Sequence, residues 1–281
     1  MRGAAAAVLV TAVLTSCAAG AAPAPAESAD LPAGVTVAVT QLRSDVAARQ
    51  VEVQVRNGSD APLQIGAVAF VDPRFEAPAE RVVDRTSTLG PGGTVDIRVQ
   101  LPGVACGAPT ESASTVTLEW TQGERAGTAT APAAEVFPFL AALHTRECVA
   151  ERAADAATIE LAAFTPAPSG EPATLALAIE PRADAGDVVI TGIRETNLLT
   201  FDGVSDGILP LEILLAGPAR TVPLSLRPAR CDPHAVQEDK RGTVFTVDVT
   251  IDGEAGQFTL AADADMRGRM LTWVTEWCAA R

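Results

Sequence analysis

Hydrophobic and polar residues alternate at Val35, Val37 and Val39, and again at Val51, Val53 and Val55, across a polar loop at 43–50. A period of two in β-branched residues predicts strands with one buried face. Asn57-Gly58 closes the second strand with a residue pair suited to positive φ. A third strand is expected over 64–71, where Ile65, Val68 and Phe70 break strict alternation and imply a bulge before Asp72-Pro73 ends it. A Gly90-Pro91 turn then opens a strand through Val95, Ile97 and Val99 to Cys106. Val116, Leu118 and Trp120 form a further alternating run. Phe137, Leu140 and Leu143 follow at helical spacing ahead of Cys148.

The second half of the chain repeats this order. Ile159 and Leu161 answer Val35 and Val37, and Leu175, Leu177 and Ile179 answer Val51, Val53 and Val55. Gly217-Pro218 leads through Val222, Leu224 and Leu226 to Cys231. Val244, Val247 and Val249 come next, then Met270, Trp273 and Trp277 on one helical face, then Cys278. Gly123-Glu124 before Ala126-Gly127 matches Gly253-Glu254-Ala255-Gly256, marking one hairpin in both copies. The cysteines within each copy lie 42 and 47 positions apart. Shared order, spacing and cysteines indicate a duplicated unit. The expectation is an all-β protein of two tandem antiparallel β-sandwich domains, 34–150 and 156–281, each with a short C-terminal helix, joined by a linker around 151–157.

The run from Val51 to Asn57, with Leu89-Gly90-Pro91-Gly92 and Val95 to Val99 after it, resembles the bacterial immunoglobulin-like domains of surface and periplasmic proteins. The resemblance covers about two thirds of each repeat and implies the fold, because unrelated functions share it. It departs from antibody-type domains in lacking a Cys-Trp-Cys core and in tying a loop to the tail.

Ahead of the repeats stand Arg2, an apolar run from Ala4 to Leu14, and Leu14-Thr15-Ser16-Cys17. The run is too short to span a bilayer and fits a secretory signal at 1–16. Leu-Thr-Ser-Cys resembles the bacterial lipobox, which implies lipidation (palmitate and diacylglycerol) at Cys17 and anchoring on the extracytoplasmic face of the cell membrane. Residues 17–33, Cys17 and Leu31 apart, are Ala, Pro, Gly, Ser and acid without periodicity, a composition that reads as a flexible tether offering no core anchor. Five cysteines in an exported chain leave one over. With Cys17 lipidated, four remain. Of their three connectivities, only Cys106 with Cys148 and Cys231 with Cys278 gives both repeats the same cross-link. The Ala- and Arg-rich composition, with Lys240 the sole lysine, fits a GC-rich genome. The chain as a whole resembles bacterial lipoproteins of actinobacterial type with tandem immunoglobulin-like domains.

A formal charge of −14 argues against nucleic acid and anionic membrane surfaces as binding partners. No Gly-x-Ser-x-Gly elbow or phosphate-binding glycine loop occurs. His144 and His234 are the two histidines, at unmatched positions in the repeats. Cys231-Asp232-Pro233-His234 holds ligand types at short spacing, but its cysteine is needed for a disulfide. Asp202, Asp206, Asp263 and Asp265 lack the EF-hand spacing. No catalytic residue, metal site or cofactor is therefore assigned. Trp273 and Trp277 remain as a candidate aromatic platform for sugar or solute, with core packing of the terminal helix as the alternative. The leading expectation is a non-enzymatic envelope lipoprotein that presents immunoglobulin-like modules to another envelope protein. The second is a carbohydrate- or solute-binding lipoprotein using the tryptophan pair.

Overall fold

The computed structural model describes residues 30–46, 48–182, 186–232, 236 and 241–279 of the 281-residue chain. The expected signal at 1–16, Cys17 and all but the end of the tether lie outside the described residues. At the tether's end, Leu31 packs against the first hydrophobic core, so anchoring begins a few residues earlier than the composition suggested.

The first half contains β1 (Val35–Thr40), β2 (Gln50–Asn57), β3 (Leu63–Val71), β4 (Ala79–Arg81), β5 (Ser87–Leu89), β6 (Thr94–Gln100), β7 (Thr115–Gln122), β8 (Arg125–Pro132) and β9 (Ala134–Glu135). Helix α1 (Leu140–Ala156) follows. The second half contains β10 (Ala157–Thr165), β11 (Ala173–Pro181), β12 (Val188–Arg194), β13 (Leu199–Phe201), β14 (Ile208–Leu214), β15 (Arg220–Pro228), β16 (Val244–Ile251) and β17 (Glu254–Ala261), then helix α2 (Ala264–Ala279). The chain is all-β with two long helices, one closing each half.

The strands of the two halves pair in the same order. β1-β2-β6-β4 in the first corresponds to β10-β11-β15-β13 in the second, and β8-β7-β3-β5 corresponds to β17-β16-β12-β14. In the second half these are two separate four-stranded sheets. In the first, β4 bonds to both β3 and β6 and joins all the strands into one nine-stranded, sandwich-like sheet. The expected bulge is present: the register of β3 against β7 shifts between Ile65 and Val68.

Two hydrophobic cores form, and they share no residue. One holds Val51, Val53, Val55, Ile65, Phe70, Leu118 and Trp120. The other holds Leu175, Leu177, Ile179, Ile190, Phe245, Val247 and Val249. Each alternating run therefore buries the face its period implied.

Three local expectations change. First, Val53 lies opposite Ile97, whereas Leu177 lies opposite Val222, the counterpart of Val95. Strand β11 thus sits two residues away from the pattern match, an even shift that leaves the buried face unchanged, while β10 keeps its match. Second, Asn57-Gly58 is not a positive-φ turn. Asn57 is fully buried, and its amide donates to the carbonyls of Ala61, Leu89 and Gly90 while its Oδ1 accepts from Ser59. Gly58 is required there by close approach, since a Cβ would meet the Gly34 carbonyl oxygen at 2.5 Å. Third, Phe137 precedes α1 and is 72% exposed, leaving Leu140 and Leu143 to seal the first core.

Residues 151–156, expected as linker, are the last turns of α1. Glu135 accepts hydrogen bonds from the backbone N–H of Phe139 and Leu140, fixing the start of the helix in the manner of a cap. At the other end Ala157 turns to extended backbone and enters β10 directly. Leu140 and Leu143 belong to the first core, Ala153 and Ala156 to the second. One helix is thus built into both.

Candidate functional site

Both expected disulfides are present, Cys106–Cys148 and Cys231–Cys278, with Cα–Cα distances of 5.4 and 5.3 Å. The first fastens the segment after β6 to the middle of α1. The second fastens the segment after β15 to the end of α2, which starts where Asp263 accepts the Met266 N–H at 2.8 Å.

Trp273 and Trp277 form no surface platform. Each is 3% exposed, and their indole N–H groups donate to the carbonyls of Ala167 and Glu171 at 2.8 and 3.0 Å. Phe164 packs edge-on against Trp273, with 5.5 Å between ring centroids. An indole so placed has its apolar area and its donor used internally, so the sugar-binding expectation loses its residues. The pair shares one face of α2 because that face closes the second core.

His144 is buried on α1, with Nε2 3.1 Å from the Ala105 carbonyl oxygen. Its Nδ1 has no partner among the described residues. His234 lies outside them. Among the described residues, no three His, Cys, Asp or Glu side chains converge on a metal-sized site. No helix among them is long and apolar enough to cross a membrane.

One buried polar cluster gave no signal in the sequence. Asp72 and Arg74 pair at 2.7 Å and are nearly inaccessible, and the Ser114 hydroxyl donates to Asp72. Burial alone would push the Asp72 carboxyl up. The hydrogen bonds from Arg74 and Ser114 outweigh it and hold the group below the ordinary carboxylate value. A carboxylate clamped in this way is a weak base. Its role is structural: Arg74 donates to the Thr110 carbonyl and its own carbonyl accepts from the Ala105 N–H, which pins the loop bearing Cys106.

A concavity lies where the halves meet. It is a cleft of about 510 Å³ between the β1–β2 loop, α1, the start of β16 and β17. Among the described residues it is lined by Arg43, Arg49, Arg146 and Arg241, by one acid, Glu147, and by apolar groups that include the half-buried Val46, Ala150 and Val244. Arg49 is fixed: its Nε and Nη2 contact Glu147 at 3.1 and 2.7 Å, and Nη2 also donates to the Pro102 carbonyl at 2.8 Å. The hydrogen bond to Glu147 raises the Arg49 pKa further above its already high value. This pair ties the β1–β2 loop to the helix. Arg43 and Arg146 make no ion pair or hydrogen bond among the described residues. Arg43 and Arg146 therefore leave the described lining cationic within a chain of formal charge −14. Sequence reading missed it because its arginines come from three distant segments.

No family model matches the chain, and no curated protein matches it. Solved structures it is similar to include the Pseudomonas aeruginosa CupB2 chaperone, at 13% identity over 77% of this chain and 94% of that one, with a TM-score of 0.24. The YadV chaperone is similar at 11% identity over 82% and 100%, with a TM-score of 0.24. The Escherichia coli chaperone DraB is similar at 14% identity over 83% and 98%, with a TM-score of 0.23. Superposition at this level supplies no functional argument.

Proposed function

We propose that this is an exported bacterial lipoprotein, of actinobacterial type, that acts without catalysis. It is anchored through Cys17 on the extracytoplasmic face of the cell membrane and presents two tandem immunoglobulin-like β-sandwich modules to another envelope protein. The strand orders support the module reading. β10-β11-β15-β13 follows the A-B-E-D order and β12-β16-β17 the C-F-G order of the immunoglobulin sandwich. The departure is that β14, the extra strand beside β12, follows β13 in the chain instead of preceding it. Two disulfides in a chain with one further cysteine fit an oxidising compartment.

The observation that carries the binding role is the cleft between the halves, held by a helix that belongs to both cores. Independent beads on a string would have no such joint. Nucleic acid is not the expected partner, given the overall charge.

Fractionation and cross-linking test this reading. Cys17→Ser should move the protein from membrane to soluble fractions and abolish labelling by a clickable palmitate analogue. A wild-type protein that is soluble and unlabelled contradicts the anchor. Reversible cross-linking in cells should return a defined envelope protein with the wild-type chain. Recovery of the chain alone contradicts the interaction role.

A further inference from the structure

From the charge and shape of the cleft, and resting on the interaction reading above, we propose that the partner enters as an acidic peptide segment carrying an aromatic or aliphatic anchor residue. Among the described lining residues Glu147 is the one acid, and it is already paired with Arg49. Arg43 and Arg146 are left to attract a carboxylate-rich ligand, and a planar guanidinium accepts a carboxylate through two parallel hydrogen bonds. The lining calls for more than charge. Val46, Ala150 and Val244 add half-buried apolar groups to it, and a volume of about 510 Å³ is that of a site for a compact apolar side chain with its flanking backbone.

The surface continues in the same character. β9 runs parallel to β1 with Glu135 opposite Val39, and the Val136 N–H donates to the Val39 carbonyl, so Val136 leaves the sheet near the end of β1, where the loop that carries Gln41 and Arg43 of the cleft begins. Phe137 is 72% exposed, and Val136 and Leu42 beside the same strand ends are each 46% exposed. Exposed apolar side chains beside a cationic recess suit an extended chain better than a single small anion. An anionic bilayer is the less favoured source of negative charge, because a headgroup plane does not enter a concave recess and the net charge of the protein opposes it.

Selection of a displayed library of random short peptides against the disulfide-bonded mature protein tests the proposal. Enriched sequences should place Asp or Glu on both sides of an aromatic or aliphatic residue. Their affinity should fall at least tenfold in Arg43→Glu/Arg146→Glu and weaken as salt is raised. It should be unchanged by Arg56→Glu on β2. Circular dichroism and non-reducing peptide maps confirm that both variants fold. No enrichment, enrichment without acidic bias, or affinity indifferent to the cleft reversal overturns the proposal. So does equal competition by phosphate or glutarate, which reveals a small-anion site, or stronger cleft-dependent binding to phosphatidylglycerol vesicles. A cross-link from the cleft to an envelope protein in cells, with no acidic motif selected, removes this inference while the interaction reading stands.

Discussion

A Cβ at Gly256 would lie 2.7 Å from Cγ2 of Val149, so helix α1 rests directly on strand β17. That contact places the last turns of the helix against the second half while its first turn seals the first. The same helix and strand contribute Arg146 and Glu147, and Thr259 and Ala261, to the arginine cleft.

Substituting Gly256 should therefore loosen the joint. Gly256→Val forces the helix away from β17 or displaces Val149, and overpacking of this kind costs about 1–3 kcal/mol. Chemical denaturation should show that loss, and hydrogen exchange should show α1 deprotected beyond Val149. A variant as stable and as protected as the wild type would mean the contact is not formed.

The disulfides give a second expectation. Non-reducing peptide mapping should return Cys106–Cys148 and Cys231–Cys278, with no bridge between the halves. A double Cys→Ser change at Cys231 and Cys278 should cost about 2–5 kcal/mol, since each bridge closes a long loop. The loss should appear in α2 and the segment after β15 by hydrogen exchange, leaving β1–β8 protected.

Asp72 supplies the pH dependence. Its folded pKa lies below its unfolded value, so its contribution to stability is complete above about pH 5 and is lost as pH falls through the lowered value, below about pH 4. Asp72→Asn leaves Arg74 buried without its counter-charge and should cost about 3–5 kcal/mol at neutral pH. Stabilities of wild type and variant should converge in acid. Parallel curves would show that Asp72 does not pair in solution.

The tryptophans make a fourth test. Trp273 and Trp277 should emit at short wavelength, resist quenching by iodide and ignore added glycans. Trp273→Ala should cost about 3–5 kcal/mol as a core truncation. A neutral substitution would return the pair to the surface.

Much of this fold is legible in the sequence because its signals are local. Val51, Val53 and Val55 announce a strand through period alone, Ile65 and Val68 announce the bulge, and the disulfides follow from counting within a repeat. The same period hides the two-residue offset between Leu177 and Val53, because even shifts keep every side chain on its face. Trp273 and Trp277 on one helical face read equally as platform or core until the 164–171 segment is seen to cover them. The cleft leaves no local trace. Arg43, Arg146 and Arg241 are ordinary solvated residues in the sequence, and only the continuous α1 brings them together.

The claim at the centre of this account is that the cleft between the halves is a protein-binding site, and photo-crosslinking in intact cells tests it most directly. A photo-activatable residue at Ser44, in the cleft, is compared with one at Glu212 on β14, at the opposite edge of the second-half sheet. The account predicts one discrete adduct from Ser44, lost in Arg43→Glu/Arg146→Glu, and none from Glu212. No adduct from Ser44, or the same adducts from both positions, would contradict it.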